Sequence, residues 1–362
     1  MDYHGRQTRL QGSLASHRLD GLLVTHLPNL RYLCSFTGSA GALLITEHKS
    51  IFFTDGRYTE QARNEVQGAR VIIARKAPLA AAGEWLARNA RKLRLKTLGI
   101  EAEHLTVAER SRLAKSLSAG VRLREAPPLV EQARMVKDAE EIESLRAAVL
   151  LGSSLFEVAL RTIRPGVKEV EVAAEMEYAA RRAGAEAMSF ETIIASGSRS
   201  ALPHGRASQA VIPAQGFVVC DFGVILASYC SDMTRTVHVG QPSTEARRIY
   251  QAVRDAQEAG VAAVSAGVSV GKVDAASRNL LRKNGLAKYF THSTGHGVGL
   301  EVHEQPRIAA AQKDSLGPGT VITIEPGVYI PGTGGVRIED MVVVTEVGCE
   351  VLTPTSKELI VI

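Results

Sequence analysis

The sequence predicts an α/β domain followed by a larger α+β domain, and three observations carry that reading. Over roughly the first 125 residues, short apolar runs alternate with amphipathic stretches of helical period. From Asp138 onward, helical patterns come in consecutive pairs. Two segments, 216–239 and 320–345, alternate in the manner of hairpins. With 362 residues, 45% of them hydrophobic, the chain can fill two cores, expected over 1–128 and 129–362.

In the first domain "GLLVT", "GALLIT", "SIFFT", "RVIIA" and "TLGIE" predict strands, and "GRYTEQARNEV" and "AAGEWLARNARKL" predict helices. "LREAPPLVEQARMVKD" reads as a connector, because Pro127 and Pro128 interrupt any period. The second domain opens on the helix "DAEEIESLRAAVLLGSSLFEVALRTI", stopped by Pro165-Gly166. A second helix, "KEVEVAAEMEYAARRAG", ends at Gly184. Between the hairpins lie "STEARRIYQAVRDAQEAGVAAVSAG" and "GKVDAASRNLLRKNG", also helical.

A repeat shows in these pairs. "PGV" at 165–167 precedes the helix ending at Gly184, and "AGV" at 266–268 precedes the one ending at Gly285. Gly166 to Gly184 and Gly267 to Gly285 are both 18 residues. This predicts two related helix-helix-strand halves with a site between them.

Charge and composition exclude several classes. Lys and Arg number 43 against 38 Asp and Glu, a dispersed net charge of +5. The one dense basic run, Arg88, Arg91, Lys92, Arg94 and Lys96, has no interleaved aromatics, so it reads as the solvated face of a surface helix and not as a nucleic-acid patch. The N-terminal "MDYHGRQTRL" lacks the apolar core of a signal peptide, and no run approaches the ~20 apolar residues of a membrane span. Cys34, Cys220, Cys230 and Cys349 form no C-x-x-C pair and read as reduced core residues of a cytoplasmic protein.

The hairpins carry the chemistry. "GFVVCDFGVILASYCSDMTRTVHVG" holds Asp221 and Asp232, which face each other if the turn falls at Leu226-Ala227. "VITIEPGVYIPGTGGVRIEDMVVV" holds Glu325 and Glu339 about a turn near Gly332-Thr333. A solvated strand face could carry one such pair. Two alike point to a positive partner, since opposed buried carboxylates repel. Arg235 and Arg337 are the nearby cations, and two cations offset four acids only in part. Divalent metal ions are the simpler answer.

"STGHGVGLEVHEQP" brings His296 and His303 among three glycines that disfavour a helix and permit close backbone approach. "HEQPR" is not H-E-x-x-H, because Arg307 stands where a second histidine is needed. In an extended chain an offset of seven sends the two rings to opposite faces, so they are expected to have different jobs. "GVSVGKV" at 267–273 is one residue short of a P-loop, and "TGSAG" at 37–41 has the wrong spacing for a nucleophile elbow.

Asp221, Asp232, His296, Glu325 and Glu339, set in "DFG", "YCSDMTRT", "HSTGHGVGLEVHE", "ITIEPGVYI" and "GGVRIED", resemble the metallopeptidases of the pita-bread (creatinase/aminopeptidase) fold. The match is to their Xaa-Pro branch, aminopeptidase P and Xaa-Pro dipeptidase (prolidase). "LPHG" at 202–205 resembles the substrate-site histidine block, and "NLRYLCSFTGSAG" and "FFTDGRYTEQA" look like the creatinase-type α/β N-terminal domain.

That resemblance implies hydrolysis of the N-terminal Xaa-Pro bond of peptides or dipeptides, with two divalent metal ions per chain, manganese first and cobalt or zinc after it. By it, Asp221 binds one ion, Asp232 and Glu339 bridge, and His296 and Glu325 complete the second. Glu325 is also the candidate proton shuttle. His303 and His204 are expected to hold substrate or stabilise the tetrahedral intermediate, His292 to line the pocket, and Tyr329 and Arg337 to support the centre. A homodimer is implied; a nucleic-acid or membrane partner is not. The alternatives are a methionine aminopeptidase-like exopeptidase, whose usual form lacks the N-terminal domain, and a non-catalytic peptide-binding or protein-binding relative, which typically loses ligands. Arg307 could read the free carboxylate of a dipeptide, or be a surface residue.

Overall fold

The apolar runs of the first domain pair as one six-stranded sheet of order β4-β3-β2-β1-β5-β6. Its strands are β1 (Gly21–Val24), β2 (Ala42–Thr46), β3 (Lys49–Asp55), β4 (Arg70–Ala74), β5 (Thr97–Glu101) and β6 (Arg122–Ala126). The computed structural model describes residues 1–118 and 120–362, in two units, Met1–Arg134 and Met135–Ile362. In the first unit β1, β2 and β3 run antiparallel, while β3–β4, β1–β5 and β5–β6 are parallel. The buried runs of β1 and β2 have both faces covered, which is why they read as continuous hydrophobic stretches. Helices α1 (Tyr3–Leu14), α2 (Leu27–Cys34), α3 (Thr59–Glu65), α4 (Pro78–Asn89) and α5 (Val107–Ser116) accompany the sheet.

Two expectations change here. The supposed connector contains the end of β6 and all of α6 (Leu129–Met135), and Tyr32 Oη donates to Ala133 O at 3.2 Å. In the basic run only Arg88 belongs to a helix; α4 ends at Asn89, and Arg91, Lys92, Arg94 and Lys96 follow it, all exposed.

The second unit opens on α7 (Ala139–Thr162), whose N-cap Asp138 and Glu141 exchange the reciprocal bonds of a capping box. Then come α8 (Glu169–Arg182), β7 (Ala187–Met188), β8 (Ile193–Ser196), β9 (Gly216–Phe222), β10 (Val224–Leu226), β11 (Tyr229–Cys230) and β12 (Met233–Val239). After α9 (Thr244–Ala262) and α10 (Val270–Lys283) come β13 (Gly295–Gly297), β14 (Glu304–Ile308), β15 (Val321–Ile324), β16 (Gly327–Ile330), β17 (Gly334–Arg337), β18 (Asp340–Thr345) and β19 (Gly348–Val351). The main sheets are β12-β9-β8 and β14-β13-β15-β18-β19.

The repeat is physical. Gly166, Gly184, Gly267 and Gly285 all take positive φ, at 91°, 98°, 78° and 72°. In the first half Gly166 N–H donates to Ile212 O and Ile212 N–H to Val167 O. In the second half Gly267 N–H donates to Leu316 O and Leu316 N–H to Val268 O. Each 14-residue second helix starts beside the same backbone clasp, Lys168 bridging Val211 and Ser269 bridging Ser315. No helix among the described residues is long and apolar enough to cross a membrane.

Candidate metal centre and active site

Register places the four acids. In the β9–β12 ladder Asp221 stands opposite Thr234. The turn is at Ala227-Ser228, one residue later than expected, with φ of 49° and 70° as a type I′ turn requires. Asp221 and Asp232 are therefore diagonal neighbours on one face, not opposed. Positive φ at an Ala-Ser pair gives no sequence signal, which explains the slip. The second hairpin is as expected. β15–β18 pairs Ile324 with Asp340, and β16–β17 pairs Gly327 with Arg337 about the same centre. Glu325 and Glu339 face each other in the gap between the two ladders.

His296 enters from β13. Gly295 and Gly297 are required on either side of it: a Cβ on Gly295 would lie 1.9 Å from Thr323 O, and one on Gly297 2.2 Å from Gln305 O. His296 Nδ1 donates to Gly297 O at 3.1 Å, so Nε2 carries its lone pair inward. That atom is 3.4 Å from Glu325 Oε1 and 3.7 Å from Asp232 Oδ2. Ligand atoms of Asp232, His296 and Glu339 all lie within 4.8 Å of one another.

His303 overturns the expectation of opposite faces. The chain reverses between β13 and β14, and the rings of His296 and His303 meet edge to face, centroids 4.4 Å apart. His303 is on the exposed side of this contact.

Arg337 and Tyr329 form one network. Arg337 Nη2 donates to Asp221 Oδ2 at 2.5 Å, Nε to Thr234 Oγ1 at 3.1 Å, and Nη1 to Tyr329 Oη at 2.5 Å and Pro203 O at 3.1 Å. His292 Nδ1 donates to Ser293 O, so its Nε2 accepts from Tyr329 Oη at 3.0 Å. The bond to Pro203 ties in the loop that carries exposed His204. Burial lowers both His292 and His303 from the ordinary imidazole value. Arg235 holds the same strands through their backbone: its buried guanidinium donates to Thr234 O at 2.9 Å and Glu339 O at 2.5 Å, to Asp340 Oδ1 at 2.7 Å, and to the carbonyls of Thr355 and Ser356.

The electrostatics describe a site built for cations. Burial, then repulsion from Glu339, Asp221 and Glu325, pushes Asp232 well above the carboxylate range. Glu339 is pushed the same way by burial, then by Glu325 and Asp221. Burial raises Glu325 to about 8, against the pull of Arg337. Burial lowers His296 and His292 to about 4. Two buried carboxylate oxygens, Asp221 Oδ1 and Glu339 Oε1, accept no hydrogen bond. Orphaned acceptors, facing acids and an inward imidazole lone pair are a donor set that divalent cations satisfy.

The family model of metallopeptidase family M24 matches residues 143–346, and that of the creatinase/prolidase N-terminal domain matches 6–136. The chain belongs to metallopeptidase family M24. Within that family it is 37% identical to the Xaa-Pro dipeptidase of Pyrococcus horikoshii, over 94% of this chain and 95% of that one. An Xaa-Pro dipeptidase structure from Bacillus anthracis superimposes with a TM-score of 0.94 at 41% identity, covering 99% and 100% of the two chains. The X-Pro aminopeptidase structure from Thermotoga maritima gives 0.89 at 36% identity, with the same coverage. The fold is therefore the expected creatinase-type N-terminal domain joined to a pita-bread M24 catalytic domain.

Several residues around this centre escaped the sequence reading. Thr234 Oγ1 donates to Glu339 Oε2 at 2.7 Å while accepting from Arg337. Its place two residues after Asp232 was the available signal, since alternate strand residues share a face. Asp274 and Arg278 hold the His292 segment: the pair is closed at 2.9 Å, and Arg278 donates to the carbonyls of Phe290 and His292. Their i,i+4 spacing looks like any helix-surface pair, so nothing in the sequence marks them.

Proposed function

We propose that the protein hydrolyses the N-terminal Xaa-Pro bond of peptides or dipeptides with two divalent metal ions, manganese preferred. The carrying observation is that ligand atoms of Asp232, His296 and Glu339 lie within 4.8 Å of one another, with Glu325 Oε1 3.4 Å from His296 and with Asp221 Oδ1 and Glu339 Oε1 buried without a hydrogen-bond donor. A carboxylate-rich set with one imidazole suits manganese, with cobalt or zinc next. In this reading Asp221 would serve one ion, His296 and Glu325 the other, and Asp232 and Glu339 both. When bound, the ions supply Lewis-acid polarisation of the scissile carbonyl and a water of lowered pKa.

The protein's own groups do the rest. Glu325, whose Oε1 lies 3.4 Å from His296 Nε2, takes up a proton and passes it to the leaving prolyl nitrogen. His303, at the exposed rim, donates to the developing oxyanion. His204 and His292 line the substrate side, with His292 kept neutral by burial and oriented by Tyr329. Arg337 and Tyr329 hold Asp221 and His292 in register. Arg307 is exposed on β14, four residues beyond His303, which is exposed as well. That placement supports a dipeptide-carboxylate reader. The free thiols support a cytoplasmic setting, and a homodimer is the assembly we expect.

The test is hydrolysis of Xaa-Pro and Xaa-Pro-Yaa peptides, against non-proline controls, by protein stripped of metal and reloaded with manganese, cobalt or zinc. Manganese-dependent cleavage restricted to proline-containing substrates is expected. Cleavage confined to Met-initiated peptides without proline would move the assignment to the methionine aminopeptidase class. No cleavage under any metal would leave a peptide-binding relative.

A further inference from the structure

Lys137 and Glu304 form an ion pair deep in the second unit. Nζ lies 3.2 Å from Oε2, with side-chain exposures of 1% and 7%. Taking two charges out of water costs several kcal/mol per ion, and apolar residues of similar volume would stabilise as well or better. The pair therefore calls for a role other than stability, and its surroundings supply one. Lys137 is itself fixed, its N–H donating to Gly319 O at 2.9 Å and its Nζ reaching Met135 O at 3.4 Å. The other oxygen of Glu304 accepts from Glu301 N–H at 3.1 Å. His303 sits between these two anchor points. Gly299 completes the cradle: a Cβ there would lie 2.7 Å from both Glu304 oxygens. Cys230 N–H, two residues before Asp232, donates to Gly299 O at 2.8 Å and sews the turn to the strand of acids. Glu304 itself stands opposite Gly297 in the β13–β14 register, one residue from His296.

We propose that Lys137 is a positioning residue for His303: through Glu304 it closes the 299–304 turn and sets the His303 ring against His296. This rests on the reading in which His303 donates to the oxyanion. Lys137→Met removes the ammonium that ties Glu304 Oε2 to Met135 O, so the 299–304 turn loses one of its anchors.

The test uses the full-length, metal-loaded protein in Lys137→Met, Lys137→Arg, His303→Ala and the Lys137→Met/His303→Ala pair. Lys137→Met is expected to lower kcat by up to about 10²-fold, the effect of a misplacement of roughly 1 Å, with KM and bound metal unchanged. Lys137→Arg should restore most of it, and Lys137→Met should add nothing in the His303→Ala background. If Lys137→Met fails to fold, the neutral pair Lys137→Met/Glu304→Gln replaces it with the same expectation. An equal loss in the His303→Ala background, or none in a folded variant, overturns the proposal. A second readout needs no activity. In zinc-loaded protein the NMR ring signal of His303, assigned by its loss in His303→Ala, should be single in the wild type and broadened or doubled in Lys137→Met. An unchanged signal overturns the positioning role. A changed signal in a protein that cleaves no Xaa-Pro bond supports the positioning role and refutes the peptidase reading.

Discussion

Arg337 donates to Asp221 through a buried contact of 2.5 Å that leaves the second Asp221 oxygen without any donor. The guanidinium thus neutralises half of a carboxylate whose other half faces the neighbouring acids. Removing one partner of a buried pair costs ~3–5 kcal/mol. Arg337→Met should show that loss in denaturant titrations of metal-free protein and a smaller one with manganese bound, because the ion supplies charge that the guanidinium no longer does. Equal losses in both states would make the pair purely structural.

Asp232 is buried and repelled by Glu339, Asp221 and Glu325. Asp232→Ala should lower metal affinity by more than the ~10–100-fold typical of an outer-sphere partner, and activity should fall with it. Elemental analysis after dialysis checks this. Two metals per chain with normal turnover would refute the dinuclear assignment.

The metal-free protein should lose stability as pH rises from about 6.5 to 8. Glu325 binds its proton to about 8 when folded, against 4.5 when exposed. Its contribution is complete below 4.5 and is lost as pH rises through about 8; Asp232 and Glu339 act in the same direction. His292 and His296, lowered to about 4, act oppositely, but only below their unfolded value of 6.5. The window above 6.5 therefore isolates the acids. Urea midpoints across it should fall for stripped protein and stay flat after manganese loading; a rise in the stripped protein would mean the acids are ionised and compensated.

Arg307→Ala separates dipeptidase from aminopeptidase. A guanidinium grips a carboxylate through two parallel hydrogen bonds, which an internal amide cannot accept. Hydrolysis of Xaa-Pro should weaken by about 1.5–3 kcal/mol while Xaa-Pro-Yaa changes little. The readout is the ratio of kcat/KM values, since damage to the centre lowers both. An unchanged ratio would favour the aminopeptidase.

The legible parts of this chain are those written in short-range periodicity. β4 and β5 fall on "RVIIA" and "TLGIE" to the residue, and the Gly332 centre of the second hairpin was marked by its turn chemistry. What stayed hidden depends on where the backbone turns without announcing it. Ala227-Ser228 shifted one register, and the reversal between Gly297 and Glu304 brought together two histidines that alternation would separate. The polar edge strand β6 and the short helix α6 lacked an apolar signature, since they lie beside Pro127-Pro128 and expose much of their surface. The clamps on the loops, Asp274–Arg278 and Lys137–Glu304, are invisible for another reason: burial, not residue type, distinguishes them from surface pairs.

The twin backbone clasps at Gly166 and Gly267 also bear on how the catalytic unit comes apart. Of the ligands proposed, Asp221 and Asp232 belong to one half of the repeat, and His296, Glu325 and Glu339 to the other, so neither half carries the proposed set alone. An ion gripped by both would act as a rivet across the seam. Either half must surrender it before it can unfold, which merges two independent openings into one cooperative event. Amide protons of β9 and β15, one strand from each half, should then slow their exchange together as metal is added.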